Sequence, residues 1–144
     1  MNYKSWIIDD LRSLERLRYS IPSMETELET IEAECTAIRA TDYDRIPGGS
    51  GGQEEHLLSA IARKDALRAN LKATSAKVKL LEDLLNALPD DERRVLELMH
   101  VSPGSHAVAR LCEELGYESA QIYRVKDRAL LHLAQLRFGA GYQP

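Results

Sequence analysis

Residues 53–88, QEEHLLSAIARKDALRANLKATSAKVKLLEDLLNAL, decide the fold. Leu57, Ala60, Lys64, Leu67, Leu71, Thr74, Val78, Leu81, Leu85 and Leu88 return at alternating steps of three and four over the whole segment, which is a heptad seam on a helix about 50 Å long. A helix of that length cannot bury its stripe alone. The upstream chain offers the matching stripe: Leu11, Leu14, Leu17 and Ile21, then Met24, Leu28, Ile31, Cys35 and Ile38. The two segments, 3–40 and 53–88, predict a long antiparallel helical hairpin of coiled-coil type. The polar seam members Lys64 and Thr74 read as register or solvent-reached positions.

Two interruptions bear on this hairpin. Pro22 lies inside the first stripe; because proline lacks an N–H and disfavours helix in the residue before it, the expectation is a break near Ile21. That gives one helix to about Tyr19 and a second from Pro22 to Ala40, with Ser23 capping the restart. Residues 41–52, TDYDRIPGGSGG, gather breakers and predict a Gly-rich connecting loop. This loop follows no strand and lacks a Gly-Lys-Ser/Thr ending, so it is a connector rather than a phosphate cradle.

Beyond Leu88 the pattern changes, which places the domain division at 1–88 and 89–144. Leu88-Pro89-Asp90-Asp91-Glu92 opens a helix, with three acids facing its positive end and Val95, Leu96 and Met99 following. Ser102-Pro103-Gly104 stops it. A short helix carries Val108, Leu111, Cys112 and Leu115 inward and ends at Gly116. A third starts at Glu118 or Ser119 and runs to about Phe138-Gly139, with Ile122, Val125, Ala129, Leu133 and Leu136 on its buried side. Short helix, glycine turn and longer helix make a helix-turn-helix pattern in a three-helix unit with a short C-terminal tail. The fold class is all-α.

Composition narrows the function. At 144 residues the chain is too short for a barrel enzyme, and 44% hydrophobic with 29% charged residues supports a folded core. Cys35 and Cys112 occupy apolar seam positions without a partner pattern, so they read as small hydrophobes and fit a reducing, cytoplasmic setting. No apolar stretch nears the length of a membrane span, so no membrane partner is expected. His56, His100, His106 and His132 fall in different elements with no metal-ligand spacing and read as surface or turn residues, although His100 is placed to assist the end of its helix if protonated. Acid pairs such as Asp9-Asp10, Asp90-Asp91 and Glu113-Glu114 read as solvated faces or first turns. No catalytic constellation, metal site or cofactor is expected, and the chain does not read as an enzyme.

Residues 88–130 carry three recognisable pieces: Leu88-Pro89-Asp90-Asp91-Glu92-Arg93, then Glu114-Leu115-Gly116-Tyr117, then Arg128-Ala129-Leu130. They resemble the C-terminal, promoter-reading domain of bacterial sigma factors. With its long helices and Pro-Gly-rich loop, the chain further resembles, over most of residues 3–138, a phage-encoded family of sigma-like regulators related to the RinA and ArpU late-gene activators. The resemblance implies a regulator of phage or prophage genes. It departs from the sigma pattern in having Glu118 at the turn position usually filled by Ser or Thr, followed by Ser119 and Ala120.

A formal charge of −4, with 12 basic against 15 acidic residues in 1–88 and 7 against 8 in 89–144, excludes binding to nucleic acid by bulk electrostatics. Contact must be local. Within 119–138, Arg124, Lys126, Arg128 and Arg137 face only Asp127. A groove-reading helix presents the exposed residues of its N-terminal end, here Ser119, Ala120, Gln121, Tyr123 and Arg124. Gln121 suits adenine, Arg124 guanine or phosphate, and Lys126 and Arg128 the phosphate backbone of double-stranded DNA. The expected function is a DNA-binding transcription regulator whose hairpin mediates homo-dimer or higher homo-oligomer formation, or contacts RNA polymerase. The alternative is a phage assembly adaptor, such as a small packaging subunit, that oligomerises through the hairpin.

Overall fold

The computed structural model describes residues 2–42 and 52–140. Five α-helices follow in order: α1 (Tyr3–Asp42), α2 (Gly52–Asn86), α3 (Asp90–Leu96), α4 (Ala107–Leu115) and α5 (Ser119–Phe138), with a π-helical turn at Glu97–Val101 extending α3. No strand occurs among the described residues, and the protein is all-α. Residues 43–51 of the expected loop and 141–144 of the expected tail lie outside the described residues. The edges of that loop are helical, since Thr41 and Asp42 close α1 and Gly52 opens α2.

The chain divides into two compact units, one of residues 18–76 and one of residues 1–17 with 77–144. This division crosses α1 and α2, whereas the sequence pattern changes at residue 88. The reason is that the ends of the two long helices pack with the C-terminal helices, and a heptad seam carries no local mark of where its partner changes.

In the 18–76 unit, Ile31, Cys35 and Ile38 of α1 and Ala60 of α2 are buried together, with Leu57, Ile61 and Leu67 packed against them. Ala60 is fully enclosed. Ion pairs flank this seam: Glu34 with Arg63 (3.2 Å) and His56 (3.3 Å), and Glu32 with Arg68 (2.7 Å). Numbers fall along α1 as they rise along α2, the order an antiparallel pair produces. These exposed pairs each contribute only about 0–1 kcal/mol, so apolar contact holds the helices. Ile21, Met24, Leu28, Leu71 and Thr74 remain half-buried, because two helices cannot enclose a stripe from every side.

In the other unit, Ile7, Leu11 and Leu14 are inaccessible, and Val78, Leu81, Leu85 and Leu88 are buried. Tyr3, tilted, and Trp6, edge-on, pack against Phe138 at the end of α5, with ring centroids 4.9 and 5.9 Å away. Asp10 binds Lys77 at 3.0 Å and also pairs with Arg137. The C-terminal helices enclose Val95, Leu98, Leu111, Ile122 and Val125, lined by Met99, Ala107, Val108, Cys112, Leu115 and Tyr117. Leu130, Leu133 and Ala134 are buried, but Leu136, expected inward, is 48% exposed. The buried arc of α5 rotates along its length: at about 100° per residue, Leu130, Leu133 and Ala134 share a sector that Leu136 lies outside.

Pro22 does not break α1, which runs through it as one 40-residue helix. The missing donor and the ring's steric demand are local, while Leu17, Ile21, Met24 and Leu28 keep the helical spacing of the seam on both sides. The proline still costs helix stability, by about 3 kcal/mol in an unsupported interior. Pro22→Ala is therefore expected to raise the unfolding free energy of the 18–76 unit by about 1–3 kcal/mol, measured by urea titration. An unchanged or lowered value would show that the helix carries no burden at Pro22.

Candidate nucleic-acid interface

The start of α5 is set by the turn before it. Gly116 adopts a left-handed conformation (φ 71°) and its N–H donates to the Cys112 carbonyl at 2.9 Å, closing α4. Glycine is the residue that takes this conformation without a side-chain penalty. Glu118 is extended (φ −76°, ψ 158°), and its carbonyl accepts the first α5 hydrogen bond, from Ile122 N at 3.1 Å. Ile122 and Val125 then enter the core and fix which face of α5 looks outward.

Ser119, Ala120, Tyr123 and Arg124 lie on the exposed face, and Gln121 and Lys126 are half-buried. Ser119 Oγ is 3.8 Å from Cys112 Sγ. The Lys126 ammonium sits 5.3 Å from the Tyr123 ring centroid, a cation–π contact that orders both side chains at the surface. No side-chain hydrogen bond or ion pair engages Arg124 among the described residues.

Arg128, expected to meet phosphate, is also engaged within the protein. Its Nε donates to Glu92 at 2.8 Å, and a second nitrogen lies 3.4 Å from Asp91. Glu92 is 1% exposed, the one buried charged side chain among the described residues. His132 Nδ1 lies 2.9 Å from both its carboxylate oxygens, and the Tyr117 hydroxyl donates to Asp91 at 3.3 Å. The Glu92 hydrogen bond holds the guanidinium of Arg128 more basic than usual. Asp90, Asp91 and Glu92 do stand in the first turn of α3 as expected, but Glu92 is enclosed, and His132, expected as a surface or turn histidine, is partly exposed and also meets that carboxylate. An interior carboxylate needs compensating donors, and α5 supplies them at positions i and i+4. That spacing of Arg128 and His132 was the available sequence signal.

A second brace joins α3 to α4, where Arg94 grips Glu114 through two hydrogen bonds of 2.8 and 2.9 Å. The pairing raises the basicity of Arg94 and holds the Glu114 carboxyl below the usual range. Together the two clusters tie the turn and the inner face of α5 to α3, so the outer face is presented on a rigid support.

His100 lies in the π-helical turn, whose wider hydrogen bond runs from Ser102 N to the Glu97 carbonyl at 2.9 Å. Both ring nitrogens are enclosed without a hydrogen-bond partner. Burial pushes its pKa below the ordinary value, and Lys126, Arg12 and Lys4 add to the effect. A protonated His100 aiding its helix end is therefore disfavoured.

No group of three or more His, Cys, Asp or Glu residues able to hold a metal occurs among the described residues. A shallow, mostly apolar pocket of about 310 Å³ lies between Ala87, Leu88, Pro89, His132, Gln135 and Leu136. No described helix is long and apolar enough to cross a membrane. No protein-family model, curated protein or solved structure matches the chain.

Two outcomes follow from these side chains. Arg128→Ala should lower the unfolding free energy by about 1–3 kcal/mol, since the buried Glu92 loses a charged donor, whereas Arg124→Ala should leave it unchanged; urea titration distinguishes them. His100 is favoured neutral in the fold, so the unfolded chain takes up its proton first. Its contribution is complete above about pH 6.5 and shrinks as the pH falls below that value. His100→Leu should therefore flatten the fall in melting temperature between neutral and acidic pH. An unaltered pH profile would contradict this assignment.

Proposed function

We propose that this chain is a DNA-binding transcription regulator of phage or prophage genes. In this reading α4 and α5 form a helix-turn-helix, α5 enters the major groove of promoter DNA, and α1 with α2 forms a coiled hairpin for self-association or contact with RNA polymerase. The observation that carries it is the outward end of α5: the Arg124 side chain has no ion pair among the described residues, Tyr123 and Lys126 are ordered against one another, and the inner face is anchored through Glu92. Arg124 has the planar donor fork that matches guanine or a phosphate, and Gln121 has the amide that matches adenine. The sigma-like residues of 88–130 support the same reading. Arg128 is assigned to structural support rather than to DNA.

A second reading, a phage assembly adaptor, is favoured by the long helices alone. Leu58 and Leu80 of α2 are 61% and 44% exposed, and much of the seam is only half-buried, leaving apolar surface for other copies. One experiment separates the two: labelled promoter DNA from the gene's own phage or prophage region is titrated with the full chain at low salt, alone and with RNA polymerase. The regulator reading expects a salt-dependent shift. Arg124→Ala and Gln121→Ala should each cost about 1–3 kcal/mol at one base pair, and Lys126→Ala should weaken all sequences alike and flatten the salt slope by about one unit. A ring-sized oligomer by light scattering with no DNA shift would establish the adaptor instead.

A further inference from the structure

We propose that Lys4 and Arg12 of α1, together with Lys126 of α5, form a phosphate-backbone contact surface for duplex DNA beside the outward end of α5. This rests on the DNA-binding reading and extends it to an N-terminal helix that the helix-turn-helix pattern leaves out. Lys4 Nζ lies 3.7 Å from Asp127 Oδ1, with both side chains largely exposed, which sets the first turn of α1 against the turn of α5 that holds Lys126. Lys126 in turn reaches the Tyr123 ring, so the positive surface runs on into the groove-reading residues.

His100 lies within reach of all three cations. After burial, Lys126, Arg12 and Lys4 all act on its ring in the sense that opposes protonation. Three cations, with Asp127 beside one of them, thus gather about one enclosed ring in a chain of net charge −4. Two of its cations, Arg12 and Lys126, are matched by no carboxylate among the described residues, and Lys4 is held only by the exposed Asp127. Arg93, Arg94, Arg128 and Arg137 are each matched by a carboxylate, whereas Arg12 is exposed and has no ion pair among the described residues. The partner is an extended polyanion rather than a small anion, because the cations lie along two helices at the surface and do not converge on a cavity. Both His100 nitrogens are enclosed, so the imidazole senses a bound phosphate through the field and does not touch it.

The test uses the full-length chain and a fluorescein-labelled, mixed-sequence DNA duplex, titrated by anisotropy over a series of salt concentrations. Lys4→Ala and Arg12→Ala are each expected to flatten the plot of log affinity against log salt by about one unit. Arg12→Gln, which keeps the aliphatic stem, should do the same if Arg12→Ala perturbs folding. In the wild-type chain the His100 imidazole, followed by NMR, should titrate at higher pH once the duplex is bound. Two results overturn the proposal. If a chain carrying both Lys4→Ala and Arg12→Ala keeps the wild-type slope and affinity while Arg124→Ala weakens binding, the α1 surface is wrong and the groove reading stands. If the wild-type chain binds no duplex at low salt, both fall. Loss of slope in the α1 variants, with Arg124→Ala inert, would sustain this surface and remove α5 from the groove.

Discussion

The C-terminal helices depend on one buried carboxylate. Glu92 is almost wholly removed from water, and a charge in that position is tolerable only when donors meet it inside the protein. Arg128 and His132 meet it from consecutive turns of α5, while Asp91 next door holds Tyr117 in the turn that precedes α5. One acid pair therefore fixes the rotation of α5 about its axis and the approach of the chain to its first turn. Apolar packing of Ile122 and Val125 is nondirectional by comparison. The ionic cluster adds direction and so reinforces the choice of outward side chains that Ile122 and Val125 set.

That choice gives a net acidic chain its usable positive charge. Most arginines of the C-terminal helices are consumed by internal carboxylates, including Arg128, which sequence position alone would place among the DNA contacts. Arg124 and Lys126, with Arg12 from α1, are not matched in this way. In the proposed function, contact with nucleic acid is therefore narrow and dependent on orientation, and the excess of acid elsewhere opposes indiscriminate coating of DNA.

The sequence makes the helices legible because periodicity is a local property: the three-four spacing from Leu57 to Leu88 and the Leu-Gly stop at Leu115-Gly116 each state their structure outright. Four features were not legible, for different physical reasons. Pro22 signals a local penalty, but the seam on either side maintains one helix. Glu92 is written like any first-turn acid, since a helix start and a buried ion pair call for the same residue, and only the spacing of Arg128 and His132 hinted at the second role. The neutrality of His100 follows from burial in a π-helical turn, whose one-residue change of register leaves no trace in composition. The grouping of residues 1–17 with 77–144 is a tertiary choice between equivalent stretches of one continuous seam. Among the candidate site residues, the exposure of Ser119, Ala120, Tyr123 and Arg124 was readable from the inward steps of Ile122 and Val125; the approach of Lys4 to Asp127 was not, because no local pattern links them.

The central claim is that the outward face of α5 is a DNA-binding surface held in place by the Glu92 cluster. Amide chemical-shift mapping by NMR of the full chain titrated with duplex DNA at low salt tests it most directly. The account predicts shifts concentrated on residues 119–126, with a second set at Lys4 and Arg12. Shifts that are absent there, or confined to residues 18–76, would contradict it.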